Sequence, residues 1–184
     1  MSLQHALLTS LLENSSSGLD LANRFSRSIG HFWQATHQQI YRELARMEAA
    51  GWVVSMPAES GRGRKRAYEA TAAGRIELSR WVNEQVDPKP LRNEMMVRLR
   101  AEAALGTSDL LPELARHLAF HQAKLAQYSG IEARHFSNKA LSRAEQIQLL
   151  VLRAGILNEQ MFIGVAEQAI EILGLPEDAL AEVK

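Results

Sequence analysis

Across residues 36–56 the hydrophobic period switches from 3.6 to 2 at a single glycine, which dictates a helix running directly into a strand. Thr36 followed three residues later by Gln39 is a capping box, each side chain able to satisfy a backbone N–H of the first turn. Ile40, Leu44 and Met47 recur at steps of four and three, one apolar stripe on that helix. Gly51 follows Ala50, where a left-handed stop is cheap for glycine and costly for other residues. Trp52-Val53-Val54-Ser55-Met56 is then rich in strand formers. The helix buries one face and carries Gln38, Gln39, Tyr41 and Arg42 on others, near its N-terminal end. Amide, phenol and guanidinium groups there suit the base edges and phosphates of a major groove. Taken alone they also suit the solvated face of an ordinary surface helix. Arg46 lies farther from the helix start and can pair with Glu43 or Glu48.

The flanking segments favour the first reading. Leu3 to Glu13 reads as a helix burying Leu3, Leu7, Leu8, Leu11 and Leu12, and Ser15-Ser16-Ser17-Gly18 as a connector. A second helix from about Leu19 to Ile29 turns Leu21, Ala22, Phe25 and Ile29 inward, and Phe32 and Trp33 pin the next turn. After the strand, residues 57–63 hold turn formers and Arg66 to Ala70 can return as the partner strand. The resulting hairpin carries Arg62, Arg64, Lys65 and Arg66, with Gly61 and Gly63 letting the backbone approach a surface. Thr71 then caps a helix running to about Gln85, with Ile76, Leu78, Trp81 and Val82 as its apolar positions. Helix, helix, capped helix, glycine stop, strand, cationic turn, strand is the order of a winged helix-turn-helix, in which the hairpin sets its cations beside the duplex the helix enters.

Two prolines in Asp87-Pro88-Lys89-Pro90 interrupt the helical pattern and stiffen a linker, giving a DNA-binding domain over 1–86 and a helical domain over 87–184. The second half predicts helices over Leu91–Leu105, Asp109–His135 and Ser142–Leu173. In the first of these, Met95, Met96, Leu99 and Ala103 are available to a core. Leu114, Leu118, His121, Leu125 and Tyr128 form one stripe, and Ile147, Leu150, Ala154, Leu157 and Met161 another, in a coiled-coil-like rhythm. Ser142 with Glu145 repeats the capping box, and Gly174 with Pro176 marks the end. Three helices do not cover both sides of stripes this long. A second copy is therefore expected to pair through Leu114, Leu118, Leu125, Ile147, Leu150, Leu157 and Met161, making the protein a homodimer. The fold expected is mainly α with a small β-hairpin, a winged helix-turn-helix followed by a helical dimerisation domain.

Net charge is zero, against a strongly basic nucleic-acid coat, but four of the ten cations in residues 1–86 sit at positions 62–66. Charges act over about 8 Å at physiological salt, so a local cluster binds phosphate despite a neutral total. The absence of cysteine excludes a disulfide scaffold, a thiolate zinc site and a cysteine nucleophile. The N-terminus lacks the basic region of a signal peptide, and the best apolar run, near Leu149–Leu157, contains Arg153. A cytoplasmic protein with no membrane partner is expected.

The run SGLDLANRFSRSIGHFWQATHQQIYRELARMEAAGWV, followed by GRGRKRAYEATAAGRIELSRWV and later LRNEMMVRLR, resembles the PadR family of bacterial transcriptional regulators. The resemblance covers residues 3–100, and the long helical C-terminal half is similar to the AphA-like subgroup. It implies a cytoplasmic dimer with interlocked C-terminal helices, binding a palindromic operator in double-stranded DNA, usually as a repressor. The start of the third helix and the wing touch DNA in that family. The matching positions are Thr36, Gln38, Gln39, Tyr41 and Arg42, then Arg62, Arg64, Lys65 and Arg66, with Tyr41 on a phosphate. Gly63 stands where many relatives have proline, which loosens the turn. Members of the family often release DNA on binding a small molecule such as a phenolic acid or a drug. A small aromatic effector is therefore a candidate partner, and the residues do not identify one.

His117 and His121, four apart with His135 on nearly the same face, can ligate zinc by spacing. They lack the intervening glutamate of a metalloprotease helix, so no metal is assigned. The Gly61–Lys65 run lacks the long loop and Lys-Ser/Thr ending of a nucleotide phosphate cradle, and no serine stands in a nucleophile elbow. No cofactor and no enzyme activity are expected. The alternative is a winged-helix protein-interaction or ligand-binding module that does not touch DNA.

Overall fold

The chain divides into two units, Met1–Pro88 and Lys89–Lys184, in a computed structural model that describes residues 2–27, 35–56, 66–87, 90, 92–106, 109–137 and 140–174. The first unit runs α1 (Ser2–Glu13), β1 (Ser16–Ser17), α2 (Gly18–Arg27), α3 (His37–Ala49), β2 (Val53–Met56), β3 (Ala67–Ala70) and α4 (Ala72–Val82). Its core joins Leu7, Leu8 and Leu11 of α1, Leu21, Ala22 and Phe25 of α2, and Ile40, Leu44 and Met47 of α3 with Val53 and Ala70 from the sheet. Burying each larger side chain contributes about 1.5–3 kcal/mol. Leu3 and Leu12 pack half-buried at the margin. Arg24 Nη2 donates to the carbonyls of Ser10 at 2.6 Å and Asn14 at 2.7 Å, placing a cation at the C-terminal end of α1, where the helix dipole favours positive charge. Ile29, Phe32 and Trp33 lie outside the described residues.

Two expectations are corrected here. The connector at residues 15–18 contains β1, so the hairpin becomes a three-stranded antiparallel sheet in the order β1-β3-β2, with Ser16 opposite Tyr68 and Ser17 opposite Ala67. Two residues carry no readable alternation; the strand exists because β3 offers an edge with backbone groups to pair. On α4, Gly74, Glu77, Leu78 and Trp81 share the inward side, whereas Ile76 is 73% and Val82 68% exposed. The 3.6-residue turn cannot bring all four predicted apolar positions to one face. The helix also stops at Val82, where the Asn83 N–H bonds back to the Arg80 carbonyl.

The second unit holds α5 (Glu94–Leu105), α6 (Leu111–His135) and α7 (Arg143–Gly174). Leu114 packs with Ala169, His121 meets Glu159, Gly155 lies against Tyr128, and Arg153 bonds Glu132, so α6 and α7 run antiparallel. Met95 and Leu99 of α5 lean on Leu110, Leu114 and Ala169, while Met96 and Ala103, expected in the core, face outward. The α5 cap is Asn93, so the helix begins at Glu94, three residues later than the predicted start, and Gly106 closes it in the left-handed region. Ser142 and Glu145 form the expected box, with the Ser142 N–H donating to Glu145 Oε2 at 2.8 Å and the Glu145 N–H to Ser142 Oγ at 3.3 Å.

By length and mean hydropathy alone α7 is apolar enough to cross a membrane, which corrects the expectation that Arg153 breaks its best apolar run too early for a span. Its charges at Arg153 and Glu159 are engaged by α6. Its exposed apolar residues Ile147, Leu150, Val151, Leu157, Met161 and Ile172 fall within a ~120° arc, one stripe along the helix.

Candidate nucleic-acid interface

Thr36, at the start of α3, is extended, and its hydroxyl accepts the Gln39 N–H at 3.2 Å while Gln39 Oε1 accepts the Thr36 N–H at 2.8 Å. The capping box is therefore real, and it engages the Gln39 carbonyl oxygen, leaving the side-chain amide as the group Gln39 can offer elsewhere. With Ile40, Leu44 and Met47 facing the core, Gln38, Tyr41 and Arg42 stand exposed on the first two turns. Ala45 and Ala49 continue the outer face without bulk. A helix with polar groups at its N-terminal end and small residues behind them can lie close to a groove floor.

Arg46 resolves toward Glu43, its Nη1 2.6 Å from Glu43 Oε1, with Arg42 Nε more distant at 3.9 Å. Glu43 is itself buried, so it holds Arg46 against the helix and leaves Arg42 more freedom. The i, i+3 spacing carries this signal; the burial of Glu43 does not show in the sequence. Glu48 instead accepts the Ser55 N–H at 3.1 Å, tying α3 to β2.

The wing grows out of the end of α3. Gly51 takes φ 73°, and the N–H groups of Gly51 and Trp52 return to the carbonyls of Glu48 and Met47 at 3.0 and 2.9 Å. Thr71 then clamps the hairpin root: its N–H donates to the Trp52 carbonyl at 2.9 Å and its hydroxyl to the Gly51 carbonyl at 2.6 Å. Gly74 is required beside it, because a Cβ there would sit 2.2 Å from the Trp52 oxygen. Val53 opposite Ala70 through Met56 opposite Ala67 sets the register, and Arg66 stands exposed where the return strand begins. Arg62, Arg64 and Lys65 lie outside the described residues. Tyr68 is half-buried; desolvation, aided by Glu48 and opposed by Arg66, pushes its phenol above the ordinary value of 10.0, so it stays neutral.

In the second unit the residues expected at a subunit seam separate into two groups. Leu114, expected to pair with a second copy, is fully buried within its own unit, and Leu118 and Leu125 are half-buried on α6. Ile147, Leu150, Leu157 and Met161 are exposed, Leu150 by 67% and Leu157 by 65%. Periodicity located the stripe on α6 but could not say that α7 covers it. His117 Nε2 lies 3.3 Å from Glu113, and His121 is taken by Glu159; among the described residues no cluster of three metal-ligating side chains forms.

Residues 7–80 match the model of the transcriptional regulator PadR-like family, and residues 91–174 match the virulence activator alpha C-terminal model. A probable transcriptional regulator of Mycobacterium tuberculosis is 40% identical, over 94% of this chain and 98% of its own. The structure of the Vibrio cholerae virulence activator AphA is similar at a TM-score of 0.77 and 32% identity, covering 94% of this chain and 98% of that one. Bacillus subtilis PadR in complex with operator DNA shares the fold at a TM-score of 0.80 and 24% identity, over 94% and 99%. The same protein in complex with p-coumaric acid gives 0.75 and 24%, over 94% and 99%. With a winged helix-turn-helix ahead of a long antiparallel helical pair, and relatives that span nearly the whole chain, this protein belongs to the PadR-like family of transcriptional regulators.

Proposed function

We propose that this chain binds a palindromic operator in duplex DNA as a homodimer and represses transcription from it in the cytoplasm. The carrying observation is the outward start of α3, with Gln38, Tyr41, Arg42 and, just before β3, Arg66 exposed, in a chain whose sequence between β2 and β3 also contains Arg62, Arg64 and Lys65. In this reading Gln38, Arg42 and the free amide of Gln39 address base edges, while Thr36, Tyr41 and the wing cations hold phosphates. The exposed leucines of α7 are covered by a second copy, since an apolar stripe of that length is costly to leave in water. A dimer then presents two wings to two half-sites of an inverted repeat.

Selection of genomic fragments by the purified protein, with and without competitor DNA, tests the reading. Enrichment of fragments sharing an inverted repeat supports it, and retention that competitor abolishes without any shared sequence overturns it.

Release by a small aromatic molecule completes the proposal, supported by the p-coumaric acid complex of the related PadR. Titration of phenolic acids into the protein–operator complex frees DNA if this is right. An unchanged complex across that class removes the effector from the reading.

A further inference from the structure

We propose that Gly18 is a positioning residue for Tyr41, providing the seat that holds the recognition-helix phenol at its phosphate contact. The inference rests on the operator-binding reading above. Gly18 is the first residue of α2, following the cap residue Ser17, whose Oγ accepts the Asp20 N–H at 3.1 Å. It is buried, and it is not one of the glycines at positive φ, so backbone conformation does not call for glycine here. Space does. A Cβ on Gly18 would lie 2.5 Å from Tyr41 Cε1, 3.2 Å from Cζ and 3.3 Å from Cδ1, and no other group is among its nearest neighbours.

The phenol ring therefore rests on the bare α-carbon of the β1–α2 junction. That junction is fastened to the sheet by Ser16 and Ser17 opposite Tyr68 and Ala67, so the seat couples α3 to the strand that leads out of the wing. Tyr41 is 44% exposed, which leaves its ring room to swing outward. A methyl group at position 18 would thus be relieved by moving the ring rather than by disturbing the core, and alanine is the better helix former. Stability and binding should part company: the fold survives, and the phenol leaves its place.

The test uses the full chain as Gly18→Ala, Tyr41→Ala and the double variant, with three readouts. In free protein, nitration of Tyr41 by tetranitromethane, followed by mass spectrometry against Tyr68 and Tyr128, is expected to accelerate in Gly18→Ala while the thermal midpoint holds or rises. Operator affinity is expected to fall about tenfold, the scale of one hydrogen bond to a charged group. In the Tyr41→Ala background Gly18→Ala is expected to cause no further loss. Unchanged nitration overturns the seat itself, whatever DNA does. Faster nitration with unaltered affinity, or an equal loss in both backgrounds, overturns the positioning role. If Tyr41→Ala binds the operator like the native chain, the phosphate role of Tyr41 and the role of Gly18 fall together while operator binding stands. A native chain that selects no operator removes the operator reading, and with it this role.

Discussion

His121 on α6 meets the buried carboxylate of Glu159 on α7, with Nδ1 2.6 Å from Oε2, and its ring stacks on Phe162 at 4.8 Å between centroids. Both members of this polar pair are largely shielded from water between α6 and α7, so they stabilise the hairpin only together. His121→Leu should leave a buried carboxylate without its imidazole and cost about 3 kcal/mol. Replacing both, His121→Leu with Glu159→Leu, should recover most of that loss. Urea unfolding at one protein concentration measures the cycle, and two single variants within ~0.5 kcal/mol of native would contradict it.

Acid sensitivity should concentrate in two carboxylates. Hydrogen bonds from Arg80 first and His5 second hold Glu77 down at about 2, and Arg116 holds Glu113 down at about 2. His5 is buried and stacked on Trp81 at 4.5 Å, so the Glu77 contact also joins α1 to α4. A carboxylate whose folded pKa is depressed stabilises the fold above its unfolded value near 4.5, and that contribution disappears as pH falls toward 2. Stability should therefore drop between pH 4.5 and 2, with a shallower drop in Glu77→Gln and Glu113→Gln. Equal acid slopes for native and variant chains would argue against these pairs.

Removing two wing cations should weaken all duplexes alike. For Arg64→Ala with Lys65→Ala, the slope of log affinity against log salt should become shallower by about 2, one unit per phosphate contact. An unaltered slope across a salt series would take the wing off the DNA.

Arg42→Ala should change which base is preferred rather than overall affinity, costing about 1–3 kcal/mol at one operator position. Gln39→Ala should do two things at once, because its carbonyl oxygen also completes the capping box: preference shifts and the fold loses about 1 kcal/mol. Competition among single-base operator variants, with unfolding curves alongside, separates the two effects.

Leu150→Glu with Leu157→Glu should yield a folded single subunit, because both side chains are already solvent-exposed within one protomer. Sedimentation at micromolar concentration, read beside circular dichroism, tests this. A dimer that persists unchanged would place the seam elsewhere.

Local chemistry alone determined much of this protein. Thr36 with Gln39, Gly51, Thr71 and Ser142 with Glu145 act on backbone groups within a few residues of themselves, so the helix starts and stops they announce are present in the structure. Apolar spacing likewise told which side of α1, α2 and α3 faces inward. The tertiary structure decided what covers each face. Period marks a stripe as buried without naming its partner, which is why Leu114 belongs to its own unit's core while Leu150 and Leu157 remain open. It also decided β1, a strand only because β3 supplies an edge, and Gly18, a glycine only because an aromatic ring distant in sequence occupies the space of its missing side chain. Both depend on contacts between residues far apart along the chain, and such contacts exist only once the chain has closed on itself.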